Sequence, residues 1–143
     1  MADKYDCLKL DNQLCFPLYA CSKGVVNAYK PYLDEIGLTY TQYIAMMVLW
    51  ECEEVTSKQL GQRLLLDSGT LTPVLKALES KGFIDRSRSK EDERNLIITL
   101  TEKGRALRDE AVKIPSKMAA CSNIDPQDAA ELYRILRKMM KNF

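Results

Sequence analysis

The sequence has 143 residues, 46% of them hydrophobic and 29% charged, with a net charge of +1; these figures describe one folded domain, and any case for nucleic acid must come from motif and position. The absence of histidine removes Ser–His and Cys–His nucleophile activation and the commonest metal ligand together. Five cysteines (Cys7, Cys15, Cys21, Cys52, Cys121) form no CxxC, so no disulfide framework, metal or cofactor is expected; with a polar N-terminus and no apolar run near the ~18 residues of a membrane span, a cytoplasmic protein with reduced thiols is expected.

The first helical pattern runs from Asp11 to about Asp34, with Leu14, Leu18, Val25 and Val26 on its apolar face and Gly37 as its stop. Pro17 kinks this helix or delays its start. Thr39 and Gln42 fit a capping box with Leu38 and Tyr43 as a hydrophobic staple, opening a helix to about Cys52. Thr56 and Gln59 repeat that signature, with Val55 and Leu60, for a short helix from Ser57 to about Leu64. Gly61 in its middle points to close packing of another element. Asp67-Ser68-Gly69 opens the next helix, whose buried stripe is Leu71, Val74, Leu75 and Leu78; Pro73 requires a start near Ser68 to Thr70, and Gly82 stops it. The period then becomes alternating. Phe83 to Arg88 reads as one strand and Leu96, Ile98 and Leu100 mark a second, joined by the charged tip Ser89 to Glu93, which is no tight two-residue turn. Thr101 caps a long helix to about Ala120, interrupted near Pro115, and a last helix runs from Pro126 to about Lys141 with Leu132, Ile135, Leu136, Met139 and Met140.

Short helix, turn, second helix and two-stranded hairpin is the order of a winged helix-turn-helix. The expected fold is therefore mainly α with a small β-hairpin wing. The stripe on the second helix leaves Thr70, Thr72, Pro73 and Lys76 for base edges, thymine methyls and phosphates, and Ser68 and Gly69 can offer backbone N–H groups to a phosphate. On the hairpin, Arg86, Arg88, Lys90 and Arg94 are placed for backbone or minor groove. Asp92 is expected to orient a wing arginine.

The run Leu66-Asp67-Ser68-Gly69-Thr70-Leu71-Thr72-Pro73, with Asp92-Glu93-Arg94 and Leu100-Thr101-Glu102-Lys103-Gly104, resembles the MarR family. Leu10-Asp11-Asn12-Gln13-Leu14-Cys15-Phe16 and Tyr29-Lys30-Pro31-Tyr32-Leu33-Asp34 resemble its OhrR subgroup of organic-hydroperoxide-sensing repressors, to which the MgrA and SarZ regulators are also similar. The resemblance implies that Cys15 is the peroxide sensor, that Tyr29, Tyr40 and Tyr19 belong to its environment, and that a dimer with interlocked terminal helices binds a palindromic operator. One domain, 1–143, is then expected, with a DNA-binding lobe over roughly 36–101 and dimerisation helices over roughly 10–35 and 102–143. Cys121 is either a resolving thiol across the dimer or a bystander, a small cellular thiol then capping Cys15.

Cys15 and Tyr19, four residues apart, share a helix face. Tyr29, fourteen residues on, is on nearly that face but about 21 Å along the axis. The sulfur and Tyr29 meet only if a second copy packs here or the chain bends back. A phenol beside the sulfur can donate to thiolate, which attacks a peroxide O–O bond and becomes sulfenic acid. Leu14, Phe16 and Leu18 suit an organic peroxide. Cys21 and Cys52 read as core thiols, and Cys7 carries no assigned role. Two other functions fit the same residues: a MarR-type repressor released by a phenolic or aromatic ligand, and a thiol peroxidase. Against the latter, no second cysteine stands nearby in a redox motif.

Overall fold

The computed structural model describes residues 3–143. The chain divides into an N-terminal unit ending at Tyr40 and a second unit, Thr41–Phe143.

In the N-terminal unit, two 3₁₀ turns, Asp6–Leu8 and Leu10–Asn12, precede helix α1, Cys15–Glu35. The helix begins four residues after Asp11, and Pro17 accounts for the delay. As the third helical residue it lies in the first turn, where N–H groups have no intrahelical acceptor; a start at Asp11 would have put it where its missing N–H breaks the ladder. Gly37 ends the segment in the left-handed region at φ +69, and Leu38 N donates back to Leu33 O at 3.0 Å, the Schellman-type closure that glycine permits. Of α1 itself, only Leu33 is buried.

Helix α2, Tyr40–Cys52, follows and buries Tyr43, Ala45, Met46, Val48 and Leu49. Strand β1, Glu54–Thr56, was not expected from the sequence. Helix α3, Ser57–Leu64, opens with the expected Thr56–Gln59 capping box, both halves of which form. Gly61 is there because of the turn that follows: a Cβ on it would meet the Leu66 carbonyl at 2.9 Å. Helix α4, Ser68–Ser80, buries Leu71, Val74, Leu75 and Leu78, as its stripe requires. Gly82, at φ +79, turns the chain into β2, Ile84–Arg88, which pairs with β3, Leu96–Leu100. The sheet is three-stranded and antiparallel in the order β1-β3-β2, with Val55 opposite Ile98 and Arg86 opposite Ile98 on the other edge. The two-stranded wing expected from the sequence thus gains a third strand.

Helices α5 (Glu102–Ala111), α6 (Ile114–Cys121) and α7 (Pro126–Met140) complete the chain. Thr101 caps α5 through Gly104 N and also donates to Gly82 O at 2.6 Å. A Cβ at Gly104 would run into the Phe83 carbonyl oxygen, so this closeness admits glycine alone. The Gly104 carbonyl accepts from Trp50 Nε1 at 2.9 Å, tying α5 to α2. Pro115 starts α6 and Pro126 starts α7, each at a first-turn position where proline is tolerated. No residue of α7 is buried.

Candidate DNA-binding and redox sites

Helix α4 separates its side chains cleanly. Ser68, Gly69, Thr70, Thr72, Pro73 and Lys76 are all exposed, opposite the buried leucine and valine stripe. Asp67 caps the helix, Oδ1 accepting from Thr70 N at 2.8 Å and Oδ2 from the Thr70 hydroxyl at 3.3 Å. Those two bonds, the backbone one first, hold the Asp67 carboxyl below the usual carboxylate range. An acidic cap therefore occupies part of the N-terminal amide array that the sequence pattern offers to a phosphate. Thr72 Oγ1 donates to Ser68 O at 2.7 Å, which fixes its rotamer and points its methyl elsewhere.

The wing cations have unequal freedom. Arg86 turns toward α4, with Nε and Nη2 donating to Glu79 Oε2 at 2.9 and 2.6 Å, and only 21% of its side chain is exposed. This is a departure from the outward-facing role expected from the sequence, and it arises because alternation along β2 places Arg86 over the end of α4. Arg88 Nη1 donates to Glu93 O at 2.8 Å, bracing the tip. Lys90 is exposed. Asp92 pairs with a wing arginine, Arg94, at 3.2 Å, and the Arg94 side chain is 91% exposed. Glu79 is the partner that sequence reasoning missed; its signal was a carboxylate seven residues before Arg86 across the Gly82 turn.

Cys15 is the first residue of α1 and is exposed; Leu14 before it supplies no side-chain cap. Tyr19, one turn on, is also exposed, with Lys23 Nζ 5.5 Å from its ring centre. Tyr29 and Tyr40 meet, their ring centres 5.1 Å apart at 57°. Burial, and secondarily Tyr29, pushes the Tyr40 phenol above its usual pKa, so Tyr40 stays a hydrogen-bond donor at neutral pH. Because α1 runs unbroken from Cys15 past Tyr29, about 21 Å of helix separates them in one chain. The structure thus forms two groups, Cys15 with Tyr19 and Tyr29 with Tyr40, and one chain does not join them.

The cysteines correct the expectation of core thiols. All five are exposed, Cys21 and Cys52 included. Cys21 lies on α1, a helix that buries Leu33 alone. Cys52 ends α2 and its sulfur accepts from Arg63 Nη1 at 3.5 Å, the same guanidinium being paired with Glu51. Cys121 ends α6. Among the described residues no group of three or more acidic or cysteine side chains could hold a metal, and no helix is long and apolar enough to cross a membrane.

The family model of the transcriptional regulator SarA/Rot matches residues 27–111. The chain belongs to that family of MarR-type regulators. The organic hydroperoxide resistance transcriptional regulator of Bacillus subtilis is 47% identical, over 99% of this chain and 96% of that protein. SarZ of Staphylococcus aureus is 44% identical, over 94% of this chain and 91% of its own length. Among solved structures, reduced AbfR bound to DNA, 34% identical, covers 97% of this chain and 96% of its own, with a TM-score of 0.80. AbfR, from Staphylococcus epidermidis, has also been solved overoxidised on DNA, at TM-score 0.78, and in a disulfide form, at 0.65. The OhrR-like MarR membership and winged-helix fold expected from the sequence therefore hold, and the SarA/Rot relatives are regulators, not enzymes, which removes the peroxidase alternative.

Proposed function

We propose that this SarA/Rot-family chain is a cytoplasmic, homodimeric repressor that releases a palindromic operator when an organic hydroperoxide oxidises Cys15. The observation that carries the reading is an exposed thiol on the first turn of α1, in a chain nearly half identical to a hydroperoxide resistance regulator. Supporting the dimer are apolar side chains that a single chain leaves in water: Leu132, Ile135 and Met140 on α7, each more than 40% exposed, and Leu14, Val25 and Val26 at the start of and along α1. A twofold partner would bury them and space two α4 helices along one face of DNA. It would also supply the only route by which Tyr29 and Tyr40 of one chain reach the Cys15 sulfur of another, since one chain holds them apart. The exposed α4 residues Ser68, Gly69, Thr70, Thr72, Pro73 and Lys76 would read the major groove, with Arg88, Lys90 and Arg94 on the wing reaching phosphates and Arg86 and Asp92 holding that wing in shape.

A second reading keeps DNA binding but releases it with an aromatic ligand. It draws on an open cavity of about 690 Å³ between α3, the α3–α4 turn and the wing, lined by Leu65, Leu66, Leu71, Leu96 and Arg94. One experiment tests both. A duplex selected by the protein from random sequence is titrated by anisotropy before and after cumene hydroperoxide, for wild type and Cys15→Ser. The redox reading expects release of wild type and retention by Cys15→Ser. Release of both by peroxide, or of neither, overturns it; release of Cys15→Ser by a phenol supports the second.

A further inference from the structure

Cys7 precedes α1 by eight residues and has no part in the reading above. Its surroundings are more ordered than a leader needs to be. Residues 6–12 form two consecutive 3₁₀ turns, which rise only about 2 Å per residue against roughly 3.3–3.6 Å for extended chain. Two amide side chains then fold this segment onto itself. Asn12 Nδ2 donates to Asp6 O at 2.7 Å, and Gln13 Nε2 donates to the Cys7 carbonyl. A glutamine side chain is short, so the second bond holds the backbone of Cys7 beside Gln13, two residues from Cys15. Both thiols are exposed. Both lie in the N-terminal unit, whereas Cys121 lies in the other.

We propose that Cys7 closes a disulfide on oxidised Cys15 within the same chain. This rests on Cys15 being the thiol that hydroperoxide oxidises. In the first step the Cys15 thiolate attacks the peroxide: an S–O bond forms, O–O breaks, and the alkoxide leaves and takes a proton as alcohol. Sulfur is oxidised by two electrons and the hydroperoxide reduced. In the second, the Cys7 thiolate attacks the Cys15 sulfur: S–S forms, S–O breaks, and hydroxide leaves and is protonated to water. A disulfide needs Cα atoms about 4.4–6.8 Å apart, so the chain between them must tighten. Little resists that. Leu14 gives α1 no side-chain cap, and no residue of that first turn is buried, so the turn opens cheaply. A tether this short holds the second thiol at an effective concentration on the order of millimolar or more, competitive with free cellular thiols. Closure pulls the first residue of α1 out of the helix, and with it the sulfur on which release depends.

The test uses the full reduced chain with one equivalent of cumene hydroperoxide, followed by non-reducing denaturing electrophoresis, intact mass and tryptic mapping. The expected product migrates as a single chain and is lighter by about 2 Da, the two hydrogens lost to S–S formation. Peptides 5–9 and 10–23 are linked, with fragmentation placing the link on Cys15 and not on Cys21 in the same peptide. In Cys7→Ser the 2 Da loss disappears and Cys15 is instead found as sulfenic acid, heavier by about 16 Da and trapped with dimedone, or as a mixed disulfide when glutathione is present; Cys121→Ser behaves as wild type. A wild-type link from Cys15 to Cys121, running as a covalent dimer, overturns the proposal while leaving peroxide sensing by Cys15 intact. Cys15 recovered unmodified overturns both.

Discussion

Arg86 of β2 and Glu79 of α4 are joined by two hydrogen bonds to a single carboxylate oxygen, at 2.9 and 2.6 Å. The wing is thereby fastened to the helix proposed to read DNA. Arg94, in contrast, leans on Asp92 in the hairpin tip and leaves its side chain in solvent. The two arginines therefore predict different failures. Arg86→Met lowers the melting temperature and weakens operator binding without altering its dependence on salt. Arg94→Ala leaves the melting temperature in place and reduces the slope of log K against log salt by about one, the loss of one phosphate contact. Anisotropy titrations over a salt series, beside thermal melts, distinguish them.

The same bond has an acid limit. The Arg86 hydrogen bond holds the Glu79 carboxyl below its usual pKa. A depressed carboxylate contributes stability above its unfolded value of about 4.3 and loses it as pH falls through the lower folded value. Melts of wild type and Glu79→Gln should converge as the pH is taken down through that window and separate above it; parallel curves would refute the coupling.

Tyr40 runs the other way. Its phenol is raised by burial and by Tyr29, so the contribution is full below the unfolded phenol value of about 10 and is lost as pH rises through the higher folded value. Denaturant midpoints of wild type should fall more steeply above that pH than those of Tyr40→Phe, and ultraviolet titration should show one phenolate forming above the usual range in wild type and missing from Tyr40→Phe. If a partner's sulfur rests against this pair, Tyr40→Phe also slows Cys15 oxidation by about tenfold, one hydrogen bond of about 1 to 1.5 kcal/mol.

Gly104 and Thr101 test the junction between wing and α5. Gly104→Ala forces a methyl into the Phe83 carbonyl and the Leu100 side chain, and overpacking of this kind costs about 1–3 kcal/mol or more. Thr101→Ala removes the cap of α5 and the bond to Gly82 O, about 1 kcal/mol. Denaturant unfolding should rank Gly104→Ala as the more damaging.

The exposed stripe of α7 predicts the oligomer. Ile135→Glu places a charge where a twofold partner is proposed, and sedimentation at micromolar concentration should then show monomers. The isolated fold should survive, because α7 buries no residue in a single chain.

What could be read from the sequence was local. The Thr56–Gln59 box, the helix opening at Asp67-Ser68-Gly69 and the glycine stops at Gly37 and Gly82 act within a few residues, and all are present. β1 escaped because three residues make a strand only by pairing with β3, across more than forty residues of chain. Arg86 looked like a DNA contact because strand alternation says which side a residue faces, not what stands there. Cys21 and Cys52 looked buried because helical periodicity identifies an apolar face without saying whose surface covers it. Only β1 has a partner distant in sequence; the Arg86 partner stands seven residues away, across the Gly82 turn.

Trp50 is the single tryptophan of the chain, and its indole nitrogen is bonded to the Gly104 carbonyl where α5 leaves the wing. The molecule accordingly carries a built-in fluorescent reporter at that hinge. A red-shifted emission would announce that α5 had parted from α2 before the rest of the domain unravelled, with no dye attached.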